Sequence, residues 1–170
     1  MTPSQSRWYL RSKRVFDVVC SLLGLVVMSP MLLLIAIAVK SSDGGSVLFR
    51  QQRVGFRGKP FWIYKFRSMV LHAEQMGAQV TSKGDPRITR LGRLLRRSKL
   101  DELPQLWNVL RGDMSFVGPR PEVPRYVELY TPEQRLLLDY RPGITDLATL
   151  SFRNEEELLR GADDPEGFYV

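Results

Sequence analysis

One feature constrains this chain more than any other: an apolar run from Val15 to Val39, broken in charge only by Asp17 and bracketed by basic residues. About 20 apolar residues in a helix cross the hydrocarbon core of a bilayer, so the run is membrane-length. A secretory leader has an apolar region of roughly 7–15 residues followed by a small-residue cleavage site. This run is longer and ends at Lys40 with no such site, so it does not read as a leader.

Two features argue against a plain spanning helix. Ser29-Pro30 falls inside the run. Proline removes a backbone donor and clashes with the preceding turn, so a sharp kink is expected there, and a neighbouring serine hydroxyl can bond the freed carbonyl. The flanking charge is the second feature. Lys and Arg mark the cytoplasmic side, yet Arg7, Arg11, Lys13 and Arg14 precede the run while Lys40, Arg50, Arg53, Arg57 and Lys59 follow it. A re-entrant hairpin that enters the bilayer, turns at Ser29-Pro30 and leaves by the same face satisfies both ends. A single kinked spanning helix carrying a cytoplasmic domain is the alternative. Residues 1–40 then form a basic segment and membrane helix, and residues 41–170 a cytoplasmic-face domain.

At 170 residues, with 44% of them hydrophobic, the chain suits one functional domain with a modest core. The net charge of +7 implies an anionic partner: nucleic acid, an acidic membrane face or phosphate-rich small molecules. Cys20 is the only cysteine, so no internal disulfide forms, and in its apolar setting it reads as a small hydrophobe. His72 is the only histidine, which sets aside a zinc site, and no motif around it suggests a Ser-His-Asp triad. There is no Gly-x-x-x-x-Gly-Lys-Ser/Thr loop and no Gly-x-Gly-x-x-Gly.

After the membrane segment, Val47–Val54 and Phe61–Val70 are rich in β-branched and aromatic residues, and residues 55–60 between them supply a turn. This hairpin carries Arg50, Arg53, Arg57, Lys59, Lys65 and Arg67, with no acid between Gly44 and Val70, which suits lipid headgroups or a ligand phosphate. From Thr89 a basic amphipathic helix is expected, with Leu91, Leu94 and Leu95 among Arg90, Arg93, Arg96, Arg97 and Lys99. Pro104 breaks it, and a second helix carries Leu106, Trp107, Val109 and Leu110. Asp113–Pro121 reads as a loop because Gly112, Gly118, Pro119 and Pro121 oppose regular structure. A helix is expected over Glu122–Tyr130, and another starts at Thr131-Pro132-Glu133-Gln134, with a capping box, and runs to Tyr140. Asn154 caps a short acidic helix, Glu155–Arg160, before an acidic tail.

Two spots can carry chemistry. Asp101-Glu102, directly after Arg96, Arg97 and Lys99, can bind a divalent cation that bridges a diphosphate, or an aspartate there can act as a nucleophile. An exposed acid pair making ordinary salt bridges is the competing reading. In Gly118-Pro119-Arg120-Pro121 the prolines stiffen the backbone that presents Arg120, a side chain suited to phosphate; a surface turn with an incidental arginine competes.

Lys13-Arg14-Val15-Phe16-Asp17, Ser29-Pro30, residues 49–55, residues 64–69, residues 85–92, residues 100–105 and residues 112–121 together resemble the bacterial sugar transferase family, the monotopic phosphoglycosyl transferases. The match follows the family order along nearly the whole chain. The resemblance implies an α+β, mainly helical fold: a re-entrant membrane helix hairpin bent at Ser29-Pro30, a small β-hairpin and amphipathic surface helices around the active site. It implies a catalytic dyad at Asp101 and Glu102. Asp101 attacks the phosphate that bears the sugar in a UDP-sugar, releasing UMP, and undecaprenyl phosphate then takes the sugar-phosphoryl group. Glu102, with Asp101, holds Mg2+, and Arg96 and Arg120 fall where the family binds phosphate, with Lys65 and Arg67 as further candidates. The enzyme would sit in the bacterial inner membrane with its site on the cytoplasmic face and no nucleic-acid partner, and a homodimer is allowed.

With no multi-span N-terminal domain before Lys13 in this sequence, the resemblance leads us to expect a small member of the family; family members continue into a further helix after the region of Asp163–Glu166, whereas this sequence ends at Val170. Specificity contacts for the sugar are expected in Arg141–Arg153. A membrane-anchored module that binds nucleic acid through the Arg87–Lys99 helix is the rival from another class, and a single-pass metal-dependent hydrolase is a third reading.

Overall fold

The computed structural model describes residues 7–76 and 85–146 of the chain. A helix of 37 residues, α1 (Arg7–Asp43), carries the whole apolar run and is long and apolar enough to cross a membrane. Its helical backbone is continuous through Ser29-Pro30. Pro30 cannot donate to the carbonyl of Val26, one turn back, and the Ser29 hydroxyl donates to that carbonyl at 2.8 Å in its place. The serine therefore performs the repair expected of it in an apolar medium.

Residues at helical spacing along one stripe of α1 rest on the rest of the protein: Asp17, Ser21 and Val39 are buried, and Leu32, Ile35 and Ala36 pack beside them. The other faces are apolar and uncovered, with Val27 75% and Leu34 68% exposed. A soluble core helix would hide those faces, and a lipid-facing helix has no reason to.

Both limbs of α1 dock on the same body. On the N-terminal limb, Arg14 Nη1 and Nη2 donate to the carbonyls of Val109 and Leu110 at 2.6 and 2.8 Å. Both carbonyls lie in the last turn of the helix that ends at Arg111, where i→i+4 donors run out, and Val109 O also accepts from the Gly112 amide at 3.0 Å. Lys13 donates to the Ser115 hydroxyl and, at 3.2 Å, to the Val117 carbonyl, and Asp17 accepts from the Phe116 amide at 3.3 Å. On the C-terminal limb, Val39 closes a cluster with Phe66 and Leu95. The basic residues Lys13 and Arg14, read from sequence as flanking charge, are thus tied to protein carbonyls.

The expected hairpin forms from β1 (Leu48–Val54) and β2 (Pro60–Phe66), antiparallel, with Phe49 opposite Lys65 and Gln51 opposite Ile63. The second strand ends at Phe66, short of Val70, because the chain changes partner there: the Ser68 carbonyl accepts from Thr89, Val70 donates to Arg87, and Met69 bridges Ile88. Thr89 caps α2 (Arg90–Arg97), its hydroxyl accepting from Gly92 N at 2.8 Å. Gly92 lies under Ser68, where a Cβ would stand 1.8 Å from the Ser68 carbonyl oxygen, so only glycine lets helix and hairpin meet.

A second helix follows, α3 (Gln105–Arg111), closed by Gly112 at φ 93. Asn108, wholly buried, joins it to β2: its Nδ2 donates to Trp62 O at 2.7 Å and its Oδ1 accepts from Tyr64 N at 3.2 Å. The 113–121 loop needs correction. It contains a strand, β3 (Ser115–Val117), parallel to β4 (Gly143–Thr145). Gly118 and Gly143, signals of irregular structure in sequence, are what permit the contact. A Cβ on Gly118 would lie 2.1 Å from Arg141 O, and one on Gly143 would lie 2.2 Å from Gly118 N.

Between these strands, α4 (Pro124–Glu128) falls within the expected helix, and α5 (Pro132–Arg135) opens with the complete Thr131–Gln134 capping box. From Leu136 to Asp139 the helix tightens into a 3-10 turn and ends at Tyr140. The acidic helix expected after Asn154 lies outside the described residues.

Candidate active site

Asp101 and Glu102 owe their position to a corner. Helix α2 stops after Arg97, and Lys99 adopts a left-handed backbone, φ 58, that turns the chain into a 3-10 turn over Leu100–Glu102. A non-glycine residue held there costs on the order of 1 kcal/mol or more, so the packing on either side must hold the corner in place. Pro104 then starts α3, and the corner is pressed against β2.

Asp101 is buried, 7% exposed, and its Oδ1 has no hydrogen-bond partner. Burial pushes its carboxyl above the ordinary carboxylate range; Lys65 pulls it down, the Glu102 charge adds to the rise, and Arg96 and Lys99 oppose it. Glu102 responds differently. Burial would raise it too, but Lys65 donates to Oε1 at 2.9 Å and, with Lys99 and Arg120, holds it below its usual value. Two adjacent carboxyls are driven in opposite directions, the pattern of paired groups with separate roles.

Lys65 reaches the dyad from β2. Arg96, in the last turn of α2, acts electrostatically on Asp101, and Arg120 on Glu102. The backbone around Arg120 is held from both sides: its N–H donates to Asp146 Oδ2 at 3.0 Å, and the Pro121 carbonyl accepts from Arg53 at 3.0 Å. Behind Arg120 a cleft is lined by Glu122, Val127, Tyr130, Leu138 and Tyr140. Arg67 is placed elsewhere. It pairs with Asp43 at the end of α1 and packs against Gly45.

The chain that carries these two carboxyls has counterparts among known proteins. Residues 8–163 match the bacterial sugar transferase family. The chain belongs to that family. It is 48% identical over 125 residues to the putative undecaprenyl-phosphate N-acetylgalactosaminyl 1-phosphate transferase of Bacillus subtilis, covering 74% of this chain and 70% of that protein. Identity is also 48% over 141 residues to the UDP-glucose:undecaprenyl-phosphate glucose-1-phosphate transferase of Caulobacter vibrioides, covering 80% of this chain and 52% of the other. With the undecaprenyl-phosphate galactose phosphotransferase of Salmonella typhimurium it is 42% over 158 residues, 84% of this chain and 33% of that one. The chain thus spans from a third to seven-tenths of the length of these relatives.

In this member of the family the residues suit a divalent cation in one particular mode. Among the described residues no group of three or more His, Cys, Asp or Glu surrounds a common point. Mg2+ is usually held by one or two carboxylates together with substrate phosphates. The unpartnered Oδ1 of Asp101 and the neighbouring Glu102 match that donor set.

Sequence reasoning missed a buried ion pair ahead of α2. Asp85 and Arg87 are both buried, and Arg87 donates through Nε and Nη2 to the Asp85 carboxylate at 2.6–3.1 Å and through Nη1 to the Ala73 carbonyl. The spacing Asp-x-Arg was visible, but nothing local says that the pair is buried. Of the segment expected to hold sugar contacts, Arg141 donates to the Gly112 carbonyl at 3.1 Å and Pro142 lines the cleft, and the part beyond Asp146 lies outside the described residues.

Proposed function

We propose that this chain transfers a sugar-1-phosphate from a UDP-sugar to undecaprenyl phosphate, releasing UMP and initiating glycoconjugate synthesis. The observation that carries the reading is the Asp101 carboxylate: buried, with one oxygen unpartnered, next to Glu102 and within reach of Lys65, Arg96 and Lys99. A carboxylate without donors is a stronger nucleophile than a solvated one, because no hydrogen bond must break before it attacks.

In the first step an Asp101 oxygen bonds to the phosphorus bearing the sugar, and the bond from that phosphorus to the bridging oxygen breaks. UMP leaves with the electron pair, and an acyl phosphate links Asp101 to the sugar. In the second step an oxygen of undecaprenyl phosphate bonds to the same phosphorus, the Asp101–phosphorus bond breaks, and the carboxylate is restored. Arg96 and Arg120 orient the diphosphate and take up charge developing on the departing phosphate. Mg2+ held by Asp101 and Glu102 would supply further charge neutralisation of the diphosphate.

The acceptor is a lipid, so the dyad belongs near the headgroup plane. The docking of both limbs of α1 on one body supports a monotopic, re-entrant placement, with the active site on the cytoplasmic face of the bacterial inner membrane. Thiol labelling of Gln5→Cys and Ser46→Cys, each in a Cys20→Ser background, tests this from the two sides of a vesicle. Labelling from the same side is expected, and opposite accessibility would refute re-entrance.

The reaction itself is tested by UMP release from a panel of UDP-sugars, with Mg2+ and undecaprenyl phosphate each supplied or withheld. Release that needs both and selects one sugar is expected. No release with any donor, from this chain and from a version extended beyond Val170, would overturn the assignment.

A further inference from the structure

The Lys65 ammonium stands on the oxygen that a metal would need. It donates to Glu102 Oε1 at 2.9 Å, while Oδ1 of the adjacent Asp101 has no donor. An ammonium and a divalent cation cannot share one carboxylate oxygen at close range without strong repulsion. Lys65 must therefore move before Glu102 can ligate through Oε1, and for ligation through Oε2 the ammonium on the same carboxylate would still oppose the cation.

We propose that Lys65 is a resident counter-cation of the dyad, which occupies Glu102 until the diphosphate of the nucleotide donor draws it away, so that metal and donor bind together. This rests on the reading that Asp101 and Glu102 hold the metal. Three observations carry it. The root of Lys65 is immobile: Tyr64 on one side is held through its amide by Asn108, and Phe66 on the other is buried in the core. The side chain is 28% exposed, so its tip has room to swing. And the partner it would move to is an anion of higher charge, in a site where Arg96 acts electrostatically on Asp101 and Arg120 on Glu102. Lysine suits such a role because its ammonium is a point charge on a flexible stem with rotatable donors, whereas a guanidinium's planar fork would lock onto the carboxylate. Lys65 thus acts on the metal through Glu102 and on the donor directly, and its exchange of partners couples the two ligands reciprocally.

The test is a titration of the full chain in detergent with Mn2+, a spin-active stand-in for Mg2+. Protein-bound Mn2+ is read by electron paramagnetic resonance with and without UDP, against blanks of UDP alone. In the unaltered protein UDP should tighten Mn2+ binding by about tenfold or more, within the usual span of coupling between sites. In Lys65→Met, Mn2+ should bind about tenfold tighter without UDP, and the further gain from UDP should shrink to less than about threefold. Lys65→Gln, which keeps a polar tip without charge, should behave likewise and guards against a packing effect of methionine. Mn2+ binding in both variants that equals or falls below that of the unaltered protein without UDP would overturn the proposal. If the unaltered protein binds no Mn2+ even with UDP, or if Glu102→Gln and Asp101→Asn leave the affinity unchanged, the dyad is not the metal site and both readings fall.

Discussion

Asp85 and Asp101 flank the same helix, α2, and are buried to nearly the same depth, 8% and 7% exposed. Their surroundings are opposite. Asp85 accepts from the Arg87 backbone at 2.9 Å and from its guanidinium on both oxygens. Those hydrogen bonds, acting against burial, hold its carboxyl below the ordinary range. Asp101 has an oxygen with no donor, and burial, the larger effect, leaves its carboxyl above that range. Depth of burial does not separate a structural carboxylate from a reactive one. The supply of donors distinguishes these two, because hydrogen bonds to both oxygens stabilise the Asp85 charge within the fold, whereas one Asp101 oxygen has no donor and its charge is held less well.

The largest effect should come from the starved site. Asp101→Asn is expected to lower UMP release by at least about a thousandfold, as removal of a nucleophile does, with the fold intact. Its stability should move the other way. A carboxyl whose folded pKa is raised contributes stability that is full below its unfolded pKa and is lost as pH rises through the folded value. The asparagine variant escapes that loss, so at pH 7 its melting temperature should equal or exceed that of the unaltered protein. Near-normal turnover would sink the nucleophile assignment, and a much lower melting temperature would mean that Asp101 is structural after all.

The saturated site should do the reverse. Asp85→Ala leaves Arg87 buried without its carboxylate and should cost about 3 kcal/mol of stability, measured by chemical denaturation, while the folded fraction keeps most of its rate. Asn108, buried with both ends of its amide bonded to β2, should side with Asp85. Asn108→Ala should cost about 2 kcal/mol, since Trp62 O and Tyr64 N lose their partner. A variant at either position that folded normally but lost turnover would break the comparison.

The smallest effects are in pH. Asp85, with its depressed carboxyl, contributes stability above its ordinary value of 3.8 that is lost as pH falls through its lower folded value. The stability gap between the unaltered protein and Asp85→Asn should therefore narrow below about pH 4 in acid melts. For Asp101 the acid limb of kcat/KM should lie above 3.8, because the nucleophile must be ionised and burial opposes that. A limb at or below that value would place the carboxyl in water.

Much of this was legible locally. The membrane-length helix, the serine that serves the carbonyl freed by Pro30, the β-hairpin, the Thr89 cap and the Thr131–Gln134 box all follow from periodicity or from contacts within a turn. The Asp101-Glu102 pair was legible as a candidate because adjacency and nearby basic residues are visible in a string of letters. The β3–β4 pairing was not, since Gly118 and Gly143 look like loop residues until their partner strand is in place. Nor was the placement of Arg67, one of six basic residues in the hairpin region, against Asp43 on the preceding helix.

What the amino-acid order determined by itself, then, is the set of elements and their polarity: a helix apolar on every side, a basic hairpin, an acid pair at a helix end. Each is a matter of residues within a few positions of one another, where local sterics and hydrogen bonds suffice. Only the tertiary structure decided that Lys65 meets Glu102, that Arg14 caps the carbonyls of α3, and that Asp101 has an oxygen without a donor while Asp85 has donors to spare. Those outcomes depend on which polar groups are packed together and how deeply, whether they lie far apart along the chain, as Lys65 and Glu102 do, or two residues apart, as Asp85 and Arg87 do, and hydrogen-bond satisfaction is settled only in that packing.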